Sequence, residues 1–221
     1  MFLVLLCRTL ARLMRARRRP LSGDRGRDHG VIQGSWHDPG CEPEQSLAHH
    51  GSPVALIRLV LAHMRAQGGG AIVQMSSVGG QITAPGFGAY CATKFALEGL
   101  TQALNDEVAS FGIRALIVEP GAFRTGLFRP DAAYQSDAMP EYAATVGPTR
   151  AYVNGNNGLQ PGDPAKAAQA ILSALDADEP PLRLVLGGDA IDNIRARLDQ
   201  LTAELTRWEA VGRQTAIEGP A

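Results

Sequence analysis

The strongest constraint on the fold is an alternation that starts at Pro53, where helix-length apolar segments and short β-rich runs take turns down the chain. "PVALIRLVLAHMRAQ" has helical length and stops at Gly68-Gly69-Gly70, the usual place for a helix to end. "AIVQMSS" (71–77) is too short for a helix and reads as a buried parallel strand. "GAYCATKFALEGLTQALNDEVASFG" predicts a long helix closed by Gly112, with Phe95, Leu97, Leu100, Leu104 and Val108 as its apolar positions. "IRALIVEPG" (113–121) is a second strand, ended by Pro120-Gly121, and "LRLVLGG" (182–188) is a third. Asp163 followed by Pro164 gives an N-cap and first-turn signal for a helix to about Leu175. Residues 122–162 read as loop, rich in aromatics and broken by the turn cluster "NGNNG". Asp189 opens a last helix, with Ile191, Ile194, Leu198, Leu201, Leu205 and Trp208 on one stripe.

Helices and strands in this order imply parallel strands joined by right-handed crossovers, an α/β fold with helices flanking the sheet. Chemistry in such sheets gathers beyond the carboxyl ends of the strands. Those ends are Ser76-Ser77, Glu119-Pro120-Gly121 and Gly187-Gly188.

Residues 1–50 have a different character from 51–221. They hold eight Arg against five acids and four of the five His, with no sustained periodicity, so they read as a poorly ordered segment. The first twenty residues carry six basic residues and no acid, with the apolar stretch ahead of the charges, the reverse of a secretory signal. An Arg-rich transit peptide or a membrane-surface helix remains an alternative. The spacings of His29, His37, Cys41, His49 and His50 fit no zinc pattern. Cys7, Cys41 and Cys91 are too few and too scattered for a disulfide framework, so a reducing, cytoplasmic setting is expected. A net charge of −1 argues against a nucleic-acid partner recruited by overall charge. No apolar run reaches the roughly 18 residues of a membrane span.

The chain has only four tyrosines and two lysines, yet Tyr90 and Lys94 stand four apart on the helix that follows the first strand end. Residues i and i+4 share a helix face, so the ammonium can approach the phenol. A cation beside a phenol favours the phenolate and draws its pKa from about 10 toward the working range. Ser77, thirteen residues earlier, can hydrogen-bond the same substrate oxygen. That set suits proton delivery to a carbonyl as hydride reaches its carbon. Each feature also has a plain reading: Lys94 pairing with Glu98, Ser77 as an ordinary strand-end residue, Cys91 as packing.

Taken together, "GGGAIVQMSSVGG…PGFGAYCATKFALEGLTQALNDEVASFGIRALIVEPGAFRTGLF" resembles the short-chain dehydrogenase/reductase family from about Pro53 to at least Leu186. The resemblance implies a partial doubly wound, Rossmann-like parallel sheet, with an NAD(P) cofactor and a small-molecule carbonyl or alcohol substrate. It implies that Ser77 polarises the substrate carbonyl and that Tyr90 is the general acid/base. Lys94 would hold the nicotinamide ribose and tune Tyr90, while Pro120, Gly121, Phe123 and Thr125 would line the nicotinamide site. Residues 126–162 would form a substrate lid. Members of the family commonly dimerise through helices matching 53–66 and 89–110.

The family's first half has no counterpart in residues 1–50. Its TGxxxGxG turn, which cradles pyrophosphate at a helix N-terminus, is not found. Gly23, Gly26 and Gly30 have the wrong spacing and follow an arginine run. The place of the family's further catalytic Asn falls at or near His49. The first half is therefore expected to be truncated or replaced, leaving the strand at 71–76 without a neighbour on one side. A genuine segment, a targeting peptide and a frame or start artefact remain open for 1–50. Two functions follow: an oxidoreductase of this family, or a catalytically silent fragment acting at most as an interaction module.

Overall fold

The computed structural model describes residues 3–5, 43–129, 132 and 135–217, with side chains from Pro53 onward. Cys7, Gly23, Gly26, Gly30, His29, His37 and Cys41 lie outside the described residues. The elements are β1 (Leu3–Leu5), α1 (Pro43–Ala66), β2 (Gly70–Met75), α2 (Gly88–Val108), β3 (Ile113–Pro120), α3 (Ala143–Gly155), α4 (Pro164–Leu175), β4 (Arg183–Leu186) and α5 (Gly188–Arg213). The described strands form one sheet in the order β1-β2-β3-β4. The β2–β3 and β3–β4 pairs are parallel, as the crossovers require.

Apolar residues alternate across the sheet and so build two cores. On one face Ile72 and Ile113 pack with Ile57, Val60 and Met64 of α1 and Leu104 and Val108 of α2. On the other, Val73, Leu116 and Val118 pack with Ala174 and, at the margins, Ile171 and Leu175 of α4. Burying each such aliphatic side chain is worth roughly 1.5–3 kcal/mol. The helices therefore flank both faces, in a doubly wound Rossmann-like layering.

The register of the central pair is set at its amino end. Gly70 lies opposite Ile113, and the preceding turns touch. Gly112 has φ 67°, and a Cβ there would stand 2.9 Å from the Gly68 carbonyl oxygen. Asn105 of α2 also ties the helix to the strand by accepting from the Ala115 amide at 3.3 Å. Strand ends fall within two residues of the expected ones, and α4 has the expected cap, Asp163 accepting from the Ala165 amide at 2.8 Å.

Four expectations need correction. Helix α1 begins at Pro43, not near Pro53, so Pro53 is a helix-interior proline. A proline costs an interior helix one hydrogen bond, and here it reads as a helix start in sequence. The segment 122–162 contains a helix, α3, whose pattern is interrupted by Gly147-Pro148. The outer edge of β2 is not bare, because β1 pairs with it antiparallel, Val4 opposite Val73. Of the apolar positions named on α2, Leu97, Leu104 and Val108 are buried, but Phe95 and Leu100 are exposed. Among the described residues no helix is long and apolar enough to cross a membrane.

Substituting Gly112→Ala should destabilise the chain by about 1–3 kcal/mol, since it adds a Cβ both to a left-handed residue and against a backbone carbonyl. Denaturant unfolding followed by far-ultraviolet circular dichroism measures it. The equivalent change at Gly99, whose Cβ would meet nothing within 4 Å, should be neutral or stabilising.

Candidate active site

Ser76 and Ser77 leave the sheet where the β2–β3 ladder ends, the Ser76 amide still donating to the Val118 carbonyl at 2.8 Å. Ser77 is buried and caps a short 3-10 turn, its hydroxyl oxygen accepting from the Gly79 amide at 3.1 Å. The Tyr90 ring lies over Gly79 and edge-on to Phe87, with centroids 5.8 Å apart. The Ser77 hydroxyl lies near enough to the Tyr90 phenol to favour its ionised form. Lys94 Nζ donates to the Met75 carbonyl at 2.8 Å and stands 5.8 Å from the Tyr90 ring centroid. The structure thus brings Ser77, Tyr90 and Lys94 together at the carboxyl end of β2.

Burial weighs more on the Tyr90 phenol than the neighbouring cation does. Burial pushes the Tyr90 phenol above its ordinary 10.0, against the opposing pull of the Ser77 hydroxyl, and Lys94 is not among the causes. The reason is geometric: the ammonium is directed at a backbone carbonyl. Lys94 itself is lowered by burial, with the negative charge of Glu98 acting against that shift. At neutral pH the phenol therefore holds its proton.

The other predicted residues lie past the adjacent strand end. Pro120 closes β3, and the Gly121 amide donates to the Leu186 carbonyl at 2.9 Å. Asp189, at the start of α5, accepts from the Ala122 amide at 2.8 Å. A Cβ on Gly121 would collide with that carboxylate, so the glycine is required for this close approach. Phe123 bridges to Gly162, against which its ring packs. Thr125 caps the turn Gly126–Phe128, its hydroxyl oxygen accepting from the Leu127 amide at 3.4 Å. No hydrogen bond or ring pair joins Phe123 or Thr125 to Tyr90 among the described residues. His49 falls within α1, whose side chains are not described there.

Helix α3 reaches the turn that precedes α2. Its Val146 packs against Gly86, four residues before Tyr90, and its Tyr152 meets Phe128 edge-on at 5.8 Å. Arg150 donates to the Ser136 and Asp137 carbonyls at 2.7 and 3.3 Å, tying the intervening loop to the helix.

Sequence reasoning missed a buried charge cluster one turn beyond Lys94. Glu98 does not close an ion pair with Lys94 among the described residues. It meets Arg183 of β4 at 3.1 Å, and the same guanidinium reaches Glu119 of β3 at 3.3 Å. Gln81 donates to Glu119 at 3.1 Å, and Arg183 also donates to Gln102 at 2.9 Å. Glu98 is 4% and Glu119 1% exposed. Burial and the neighbouring Glu98 push the Glu119 carboxyl up to about 7, with Gln81 and Arg183 acting the other way. A carboxylate directly after the apolar run 115–118 and still within the strand was the available signal, since a buried charge requires a partner.

Known proteins similar to this chain are short-chain dehydrogenases and oxidoreductases. A family model described as short chain dehydrogenase matches residues 50–135. The oxidoreductase BOA17 of Botryotinia fuckeliana is 36% identical over 163 residues, covering 74% of this chain and 59% of that protein. A solved short-chain dehydrogenase from Streptomyces avermitilis superposes with a TM-score of 0.72 at 55% identity, over 78% of this chain and 62% of that one. Another, from Burkholderia cenocepacia in complex with NADP, gives a TM-score of 0.54 at 18% identity, over 77% and 60%, a likeness of fold alone. The chain spans about three fifths of the length of these proteins.

A carboxyl raised in the folded state favours folding below its unfolded pKa and loses that contribution as pH rises through the folded value. Stability should therefore fall between about pH 4.5 and pH 7. Glu119→Gln should remove that decline, roughly 3 kcal/mol for the rise from 4.5 to about 7 at about 1.4 kcal/mol per pKa unit. Urea midpoints measured from pH 4.5 to 8 in both proteins give the comparison. Equal slopes would exclude Glu119 as the titrating group.

Proposed function

The chain belongs to the short-chain dehydrogenase family, and we propose that it carries the proton-transfer machinery of an NAD(P)-dependent oxidoreductase interconverting a carbonyl and an alcohol. The observation that carries this reading is the convergence of Ser77, Tyr90 and Lys94 at one strand end, the Tyr90 ring over Gly79 and the Lys94 ammonium 5.8 Å from its centroid. A phenol kept protonated by burial is suited to donate to a carbonyl oxygen, and Ser77 can hydrogen-bond that same oxygen. After transfer, the nearby Ser77 hydroxyl can donate to the phenolate, which also has a cation near its ring. Lys94 is held for this by the Met75 carbonyl.

The donor set fits the nicotinamide end of such a cofactor. Lys94 retains N–H groups beyond the one given to Met75, and the Thr125 hydroxyl accepts from Leu127 while keeping its own proton. Lys94 and Tyr90 would hold the ribose, and Pro120, Gly121, Phe123 and Thr125 the nicotinamide, with Phe123 contributing its backbone because its ring is packed on Gly162. A bound nicotinamide supplies the hydride. Helix α3 and residues 126–142 would cover the substrate. The exposed Leu59, Phe95 and Leu100 favour assembly of copies through α1 and α2, where apolar surface would otherwise face water.

Titration with NADPH and NADH, followed by cofactor fluorescence and gel filtration together, tests the reading. Saturable binding by a folded species is expected, with carbonyl reduction that declines at alkaline pH as the phenol loses its proton. Tyr90→Phe should lower turnover at saturating cofactor by roughly 10²–10⁴-fold, a loss separate from any weakening of cofactor binding seen in the same titration. No binding up to millimolar cofactor would favour the alternative, a chain that keeps the family's residues and acts at most as an interaction module.

A further inference from the structure

Helix α5 buries Ala190 against the body, but from Leu201 to its end every residue is exposed. Leu198, Leu201, Leu205 and Trp208 are 53%, 43%, 73% and 63% exposed. Four large apolar side chains in water on one helix are a cost that a partner would remove. Their spacing says what kind of partner. Ile191, Ile194, Leu198, Leu201, Leu205 and Trp208 recur in alternating steps of three and four, the seam of two helices packed side by side.

The flanks of that seam are charged in order. One flank has Arg197 and then Glu204, and the other has Arg195, Thr202 and then Glu209. Both run from positive to negative toward the carboxyl end. Such a helix is complementary to itself only when the second copy runs the other way. In a parallel pair, Glu204 of one copy would face Glu209 of the other, a repulsion.

The geometry points to a two-fold, antiparallel pairing of α5 with α5 of a second copy of this chain. Ile191 then packs against Trp208 of the partner subunit, Ile194 against Leu205 of the partner subunit, and Leu198 against Leu201 of the partner subunit. The symmetry repeats each contact. Arg197 lies beside Glu204 of the partner subunit, and that pair also occurs twice. Glu209 is paired within its own helix to Arg213 at 2.6 Å, so the selective charges are Arg197 and Glu204.

Sedimentation equilibrium on the full chain tests this without reference to catalysis. Wild type should have twice the mass of Leu201→Glu. The single reversals Arg197→Glu and Glu204→Arg should each weaken association by roughly tenfold or more, since two attractive pairs become two repulsive ones. The double variant should recover wild-type mass. So should an equimolar mixture of the two single variants, because each supplies the charge the other lacks. Assembly through α1 and α2 would survive in every variant as a common lower mass. Equal masses for all variants would overturn the pairing, as would a wild-type mass no larger than that of Leu201→Glu. A mixture that stays dissociated would overturn the antiparallel register. Loss of helical dichroism in Leu201→Glu would mean that the stripe packs on its own chain, and would overturn it too.

Discussion

The pairing of Gly70–Met75 with Ile113–Val118 is the constraint from which the rest of the molecule follows. Six consecutive residues on each strand are in parallel register, and Ile72, Val73, Leu116, Ile117 and Val118 are almost fully enclosed. A slip by one residue would turn both apolar sets toward the wrong helices. The glycine contact at Gly68–Gly112 fixes the amino end, so the carboxyl ends have no freedom of register either. Ser76-Ser77 and Glu119-Pro120-Gly121 therefore emerge side by side. The proximity of two segments more than 40 residues apart is a consequence of backbone pairing, before any side chain is considered.

The helix that bears Tyr90 and Lys94 is pinned to this sheet at more than its apolar face. Lys94 binds the Met75 carbonyl at the end of β2, and Glu98, one turn on, is held by Arg183 of β4. Asn105 receives the Ala115 amide of β3. Three successive polar contacts thus fasten one helix to three strands, which fixes the rotation that aims Tyr90 at Ser77. Lys94 consequently has a structural duty that competes with its electrostatic one. With the ammonium directed at a carbonyl, burial of the phenol outweighs the attraction expected of a cation four residues away.

This division marks what could be read in the sequence. The strands, the capped helix at Pro164 and the Tyr90–Lys94 face were legible because each depends on local pattern: apolar runs, an Asp-Pro start, an i,i+4 spacing. Helix α3 and the first part of α1 were not, because Pro148 and Pro53 sit inside helices whose packing or neighbours tolerate the lost hydrogen bond. The direction of the Tyr90 shift was not legible for a different reason, since desolvation depends on what covers a group in space. Arg183, Glu98 and Glu119 converge from residues up to 85 apart, and only the sheet order makes them neighbours. A charge within an apolar run announces that a partner exists without saying which. Phe95 and Leu100 failed in the same way: their helical period was right, but the buried face is rotated toward Cys91, Glu98 and Thr101.

The same rotation separates two kinds of surface. Residues that bear on chemistry lie beyond the carboxyl edge of the sheet, where backbone amides and carbonyls of strand ends are free to hold side chains in place. The exposed apolar residues lie elsewhere, Leu59, Phe95 and Leu100 along helix faces and Leu198 to Trp208 along α5. Leu198 is ten residues into α5 from Gly188, about 15 Å along the axis at 1.5 Å per residue. Burial of these faces between copies would leave the strand ends open, and a substrate could reach Tyr90 in an assembled molecule as in a single one. The exception is the start of α5, where Asp189 holds the Ala122 amide. Asp189 ties the start of that helix to the Gly121–Ala122 turn, so assembly along α5 and the carboxyl end of β3 share a residue.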